Sequence, residues 1–342
     1  MIKINKSGKI IIVCMPDFAT GGTELLHQLA YKLKKRNFNV YMYYVFSNNN
    51  PNPVADRFKK YDINFLYDIE DIKENIVIIP EIYTTLYNNI NNARKVVWWL
   101  SVDNYYKSLS GKNRKYFKNK VKLILNKITH KNKYKVEKYL GMNFNLENAN
   151  CINLVQSQYA YEFLKNLRKE KIYYLSDYLN DEFLKSINCN SEKKDIVLYN
   201  PAKGFEFTKK LIEKSKGIEF LPICNMSPKE VRELLQKSKV YIDFGNHPGK
   251  DRFPREAAIC GCCIITGKDG SAKYYKDIPI LDEYKYEANN DNIPLILNKI
   301  HQCLTEYDKK ISDFKYYRDH ILIQEKIFDD EIDFIFKHEE RF

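Results

Sequence analysis

Short, continuous apolar runs recur along this chain, and between them the apolar positions fall every three or four residues. The first run, Ile10-Ile11-Ile12-Val13, lies in residues 9–15 and predicts a strand. Residues 23–35 then place Leu25, Leu26, Leu29, Ala30 and Leu33 on one helical face. Residues 40–46, 75–80 and 95–100 predict further strands, with a polar turn at 48–53. These runs are continuous rather than alternating, which is the pattern of parallel strands buried on both faces. A strand, a helix and a strand follow at 151–156, 159–167 and 172–175. Residues 181–195 are polar and charged and predict a linker. The alternation then restarts: strand 196–199, helix 207–214, strand 218–221, helix 228–237, strand 240–244, a small-residue helix from Glu256 and a Gly-Cys-Cys-Ile-Ile strand. Ser227, Pro228 and Glu230 form a capping box with proline at the first helical position. From Ile293 the pattern is amphipathic helix, with Ile293, Leu297, Ile300 and Leu304 in one set. Alternating strands and helices mean an α/β class with open sheets. Two such series in tandem predict two Rossmann-like domains facing a cleft, with ligands beyond the carboxyl ends of the strands. The expected division is 1–190 for the first domain, with a basic helical insert near 107–140, then 191–315 for the second. Residues 316–342 are expected to be a helix crossing back to the first domain.

Composition narrows this picture. The chain has 342 residues, of which 44% are apolar, so disorder throughout is excluded. The eight cysteines sit mostly in apolar runs rather than at the spacings of a small secreted scaffold, so they read as reduced and buried, in a cytoplasmic protein. Cys260 and Cys263 have CxxC spacing, but no second Cys/His pair follows at finger spacing, and no metal is expected. The apolar run at 10–15 is too short for a signal peptide or a membrane span. The net charge of +12 is concentrated: residues 107–138 carry twelve Lys/Arg against one acid, Glu137. Within it, residues 116–128 mix basic and apolar positions at helical spacing. Three readings apply: peripheral contact with the anionic inner face of the cytoplasmic membrane, a solvated charged helix, or nucleic acid. No RNA-recognition, zinc-finger or helix-turn-helix signature supports the last.

The stretch 246–264, NHPGKDRFPREAAICGCCI, carries the densest chemistry. It leaves a buried strand and packs His247, Lys250, Arg252, Arg255 and Glu256 around two prolines and a glycine before a helix. Free N–H groups and the dipole at a helix start favour anions. Lys250 and Arg252 there point to a phosphate-bearing ligand, with Arg255 as a further candidate. Glu256, expected at or near that helix start, is either an ion-pair partner or an acceptor for sugar hydroxyls. Asn200-Pro201-Ala202-Lys203-Gly204 repeats the arrangement after strand 196–199 and offers Lys203 to a diphosphate. Gly21-Gly22 stands where the first strand turns into the first helix and would let a ligand approach the backbone. Neither a GKS/GKT phosphate loop nor GxGxxG is present. Trp98 and Trp99 read as core. Asp103, past the end of that strand, is a candidate acceptor contact or base, and Glu24 and Glu81 are weaker ones.

Together these segments resemble GT-B glycosyltransferases, most closely family 4 and the transferases of bacterial capsule and surface polysaccharide synthesis. GGTELLHQLAYKLKKRNFNVYMYYV resembles their first helix and second strand, and NPAKG their Lys-Gly loop. LPICNMSPKEVRELLQKSKVYIDF resembles the stretch with the base-binding loop, placing Asn225 and Ser227 at the nucleotide. HPGKDRFPREAAICGCCII resembles the EGFGxPxLEAMACGxPVI signature, with Glu256 on its second glutamate. The resemblance implies a nucleotide-diphosphate sugar donor and a glycan or lipid-linked acceptor, with no cofactor and no metal. Glu256 would take the ribose; Lys203 with Lys250 or Arg252 would hold the diphosphate and stabilise the leaving group in catalysis; Gly21 and Gly22 would lie against the donor. His247 and Asp103 are further catalytic candidates on their loop and strand-end positions alone. Family 4 members retain anomeric configuration. The signature's first glutamate, which in the family touches the donor sugar, falls on Pro248 here, a departure that bears on sugar identity and on stereochemistry. Two other functions fit the same residues: a nucleotide-sugar epimerase or phosphorylase, and a basic binding protein with a vestigial cleft.

Overall fold

A computed structural model describes residues 1–45, 50–108, 149–186 and 191–339. The basic stretch of 109–138, with its expected amphipathic helix, lies outside the described residues. The described residues cluster into two compact units. The first takes those of Met1–Gln156, Ala160–Ser176 and Asp329–Phe342, and the second those of Ser157–Tyr159 and Asp177–Phe328.

The first unit is built on strands β1 (Ile2–Ile4), β2 (Lys9–Cys14), β3 (Asn39–Tyr44), β4 (Phe65–Leu66), β5 (Ile76–Pro80), β6 (Arg94–Trp99), β7 (Ile152–Val155) and β8 (Ile172–Tyr174). Seven of them form one parallel sheet in the order β4-β3-β2-β5-β6-β7-β8. The chain leaves β2 toward one edge and returns at β5 toward the other. This reversal is a topological switch point, where the loops after β2 and β5 part and leave a crevice. Ile10, Ile11, Ile12, Val77, Val97 and Leu154 are fully buried, as continuous apolar runs require. Trp98 and Trp99 are core as well, and each indole N–H finds an acceptor: Leu175 O at 3.0 Å and Asn153 Oδ1 at 3.0 Å. Strand β1 pairs in parallel with a terminal strand, Phe336–His338. Nearby, Lys32 meets Asp329 at 2.9 Å and Arg36 meets Asp333 at 2.6 Å.

The second unit carries β9 (Lys194–Tyr199), β10 (Glu219–Pro222), β11 (Ser238–Asp243) and β12 (Cys263–Thr266), all parallel, in the order β10-β9-β11-β12. Its switch point falls between β9 and β11. Helices Phe205–Lys214, Pro228–Lys237, Arg252–Ile259 and Ile293–Thr305 connect and cover these strands. The capping box at Ser227 forms: Glu230 N donates to Ser227 Oγ at 3.3 Å and Ser227 N to Glu230 Oε2 at 2.6 Å.

Three local expectations need correction. Residues 181–195 are not simply a linker: Asn180 caps a helix over Asp181–Lys185, and β9 already begins at Lys194. The change of unit comes at Asp177, ahead of the boundary drawn at 191 from composition. The helix expected from Glu256 starts one turn earlier, at Arg252, with Asp251 as N-cap. The seven described cysteines are free thiols, all buried except Cys224. Among the described residues no helix is long and apolar enough to cross a membrane.

Candidate functional site

The switch point of the second unit brings together the two loops with the densest chemistry. Asn200–Gly204 leaves β9 and Phe244–Asp251 leaves β11, and adjacent parallel strands put these loops side by side. Two glycines let them touch. Gly204 caps the Phe205–Lys214 helix at φ +60°, and a Cβ there would overlap the Phe244 carbonyl. A Cβ on Gly245 would overlap the Cβ of Lys203. Any side chain at either position forces the loops apart. A third loop, after β12, braces the second: Ser271 N donates to His247 O at 2.8 Å and Ser271 Oγ to Gly249 O at 2.6 Å.

Lys203 reaches across this junction, with its Nζ 2.6 Å from Asp251 Oδ2 and its side chain 32% exposed. Asp251 is an unusual N-cap. Its carboxylate makes no bond to the helix backbone, and the third helical residue, Pro254, has no N–H to offer. The cap side chain therefore does not serve the first turn, where the amides of Arg252 and Phe253 stand. Arg252, 27% exposed, pairs with Glu256 Oε1 at 3.2 Å. Glu256 is thus the fifth residue of the helix rather than its start.

Behind this surface lies a buried chain of charges. His247 is fully buried, with Nδ1 3.0 Å from Asp251 Oδ2 and Nε2 3.5 Å from Asp243 Oδ1. Neither approach has hydrogen-bond alignment, so the attraction is that of opposite charges. Asp243 in turn accepts from Tyr241 Oη at 3.0 Å and from Gly245 N at 3.0 Å. Burial disfavours the imidazolium, but contact with Asp251 and the charges of Asp243 and Asp251 outweigh it and raise the His247 pKa. Burial pushes the Asp251 carboxyl up; His247 and Lys203 more than reverse this and hold it below its usual value. Among the described residues, Asp243, His247 and Asp251 are the set whose ligand atoms lie close enough for a metal ion, all within 4.8 Å. The fit is poor. The two ring nitrogens face different carboxylates, and an ammonium already sits on Asp251. This donor set suits a charged imidazole between two carboxylates rather than a metal ion.

The remaining candidates separate by role. Lys250 turns inward, its Nζ 3.9 Å from Asp177 Oδ1 and its side chain largely buried. Arg255 is fully buried and clamps Asp177 with both guanidinium arms, at 2.8 and 2.6 Å, so it is a structural residue and not a ligand contact. Ser227 has both its polar groups engaged in its capping box. Asn225, exposed and at φ +54°, projects in the loop after β10. His247, placed among catalytic contacts by its loop position, has no exposed surface and cannot touch a substrate in this structure. In the first unit, Gly21 and Gly22 open the Gly21–Lys35 helix at the switch-point loop after β2. A Cβ on Gly22 would meet only Leu100 Cδ1, at 3.7 Å, so packing within the unit does not demand glycine there. Asp103 stands in the first turn of a helix over residues 102–108, partly exposed. Glu24 is paired with Arg57 at 3.2 Å and Glu81 accepts from Leu100 N at 2.9 Å, so both buried acids have structural partners.

Sequence reasoning passed over Asp251, Asp243 and Asp177. Asp251 had a signal, an Asp followed by a proline within one helical turn. Asp243 closes an apolar strand and was readable as a carboxylate at a strand end. Asp177 lies 78 residues from Arg255, and nothing local marks it.

The chain matches no protein-family model and no curated protein sequence. Its fold is similar to that of sucrose-phosphate synthase from Thermosynechococcus elongatus, with a TM-score of 0.60, 11% identity, and 96% of this chain and 98% of that chain covered. It is similar also to the lipopolysaccharide outer core galactosyltransferase WaaB in its apo form, at TM-score 0.59, 10% identity, and coverage of 95% and 99%. A third likeness is to a mutant of S. aureus TarM in complex with Fondaparinux, alpha-GlcNAc-glycerol and UDP, at TM-score 0.52, 15% identity, and coverage of 78% of this chain and 55% of that one. The chain therefore spans just over half the length of TarM. At these identities the likeness establishes the fold, two Rossmann-like α/β domains of the GT-B type.

Proposed function

We propose that the chain is a metal-independent glycosyltransferase that moves a sugar from a nucleotide-diphosphate donor to a glycan or lipid-linked acceptor of surface polysaccharide, with retention at the anomeric carbon. One observation carries this reading. The switch point of the second unit presents a partly exposed lysine, Lys203, against a helix N-terminus whose cap side chain makes no bond to the helix backbone. Helix-terminal N–H groups and a fixed cation are what a diphosphate needs. In the transfer, the bond from the anomeric carbon to the β-phosphate oxygen breaks and both electrons leave on the diphosphate. The acceptor oxygen bonds to that carbon and its proton is released. Lys203, Arg252 and the amides of Arg252 and Phe253 meet the charge that develops on the leaving group, the role a metal ion would otherwise fill. In this reading Glu256, beside Arg252, accepts from the ribose hydroxyls, and Asn225, in the loop after β10, contacts the base. The TarM structure contains UDP, which makes a uridine nucleotide the first donor to try. The basic stretch 107–138 would hold the protein against an anionic membrane where a lipid-linked acceptor resides.

Melting the protein with a panel of nucleoside diphosphates and their sugars, with and without EDTA, tests the reading. A nucleotide-specific rise in Tm that survives EDTA supports it, because a ligand that binds only the folded state stabilises it. Lys203→Ala and Arg252→Ala are expected to fold and to lose about 10²–10³-fold in turnover, the loss typical of removing one transition-state donor. Normal turnover in both variants overturns the site assignment.

A further inference from the structure

The ion pair between Lys203 and Asp251 presents a problem for anion binding, because a lysine held by a carboxylate is not available to a phosphate. The arrangement behind it supplies a solution. Asp251 Oδ2 faces two cations at once, Lys203 Nζ at 2.6 Å and His247 Nδ1 at 3.0 Å. Only Lys203 has exposed surface; His247 has none. We infer that His247 is a buried imidazolium that keeps the charge of Asp251 matched when Lys203 turns from it onto a diphosphate, so that His247 is a positioning residue for the anion site. The inference rests on the nucleotide-diphosphate reading of that site and adds a residue that never touches the ligand.

The surroundings of His247 are those of a trapped cation. Asp243 at the end of β11 lies 3.5 Å from Nε2, and Asp251 at the helix cap lies 3.0 Å from Nδ1. Tyr241 adds a hydroxyl on Asp243, and Lys203 from the β9 loop is the opposing positive charge. From the loop after β12, the Ser271 backbone N–H bonds the His247 carbonyl. The two carboxylates outweigh burial and the charge of Lys203, and so raise the pKa of the ring. Without the imidazolium proton, Asp243 is left as a buried carboxylate facing a neutral ring. Asp251 is left with Lys203 as its cation, and the lysine is then retained by the carboxylate in preference to a ligand.

The sign of the pH dependence follows. A raised pKa means that the folded protein holds this proton to higher pH than a free imidazole does, and loses it as pH rises through the folded value. Anion affinity is therefore highest on the acid side and falls with rising pH, and binding near the His247 pKa is accompanied by proton uptake.

The test uses the full chain, with UDP as the probe and isothermal titration calorimetry across a pH series that extends from about the free-imidazole pKa upward. Wild-type affinity is expected to fall with pH. His247→Asn is expected to bind about tenfold more weakly at neutral pH, a charge-assisted contact being the scale of the loss, and with a flatter profile. Adding Asp251→Asn to it removes the competitor for Lys203 and is expected to restore most of the affinity with no pH slope, a coupling that purely structural damage does not produce. Should His247→Asn fail to fold, wild-type titrations in two buffers of different ionisation enthalpy report the proton uptake directly. Absence of uptake there overturns the inference. Equal affinity and equal pH slope in wild type and His247→Asn also overturn it, while leaving the nucleotide reading intact. Failure of wild-type protein to bind UDP or inorganic pyrophosphate at any pH overturns both.

Discussion

Replacing Arg255 by alanine is expected to be among the most damaging single changes in the second unit, without any role for the residue in ligand contact. Arg255 is fully buried and makes five hydrogen bonds: two to Asp177 at 2.8 and 2.6 Å, one to Gln324 Oε1 at 3.1 Å, and two to the carbonyls of Asp251 and Lys250 at 3.2 and 3.3 Å. Its removal takes the guanidinium from the Asp177 carboxylate, which is itself buried and has Lys250 Nζ no nearer than 3.9 Å. Breaking a buried pair from one side costs about 3–5 kcal/mol. At about 2–4 °C per kcal/mol for a unit of roughly this size, Tm falls by about 6–20 °C. Differential scanning calorimetry at neutral pH measures it. The double variant Arg255→Met with Asp177→Asn is the informative control. It removes both charges, fills the volume, and is expected to recover most of the lost stability. A loss below about 1 kcal/mol in Arg255→Ala, or no recovery in the double variant, would refute the assignment of Arg255 as a clamp and return it to the ligand-facing cations.

Two further outcomes follow from local geometry. Gly245→Ala drives a methyl into the Cβ of Lys203, so it is expected to weaken UDP binding and to lower stability by about 1–3 kcal/mol, read from urea melts. His27, held neutral between Thr23 O at 2.7 Å and Tyr44 Oη at 2.8 Å, has its pKa pushed down by burial to about 4. The carbonyl requires the proton on Nδ1, so Nε2 accepts from the tyrosine. The unfolded chain takes up a proton there that the folded one refuses, so stability is full above pH of about 6.5 and falls by about 3 kcal/mol as pH drops toward about 4. His27→Gln should remove that part of the acid slope in melts across the range; an unchanged slope sinks the assignment.

Much of the fold was legible because it is local. Ile10–Val13 and Ile196–Tyr199 are continuous apolar runs and form buried strands. Ser227, Pro228 and Glu230 stand within one turn of each other, and the capping box forms as their spacing predicts. The helix start at Arg252 was misplaced because its cap works atypically: Asp251 serves Lys203 and His247 instead of the backbone. The edge strand Phe65–Leu66 and the Ile2–Ile4 strand were too short or too distant from their partner to show a period.

The candidate site divides along the same line. Residue types and loop positions are properties of the chain, so Lys203, His247, Lys250, Arg252 and Glu256 could be named from spacing alone. Which cation remains partly exposed was decided by partners far away in sequence. Asp177, 78 residues from Arg255, takes that arginine out of the surface, and Asp251, 48 residues from Lys203, draws the lysine to the helix end. The order β10-β9-β11-β12 was equally beyond reach, since hydrophobic period marks a strand as buried but not which neighbour it takes. Only that order makes the loops after β9 and β11 neighbours at a switch point, and so turns two separate motifs into one site.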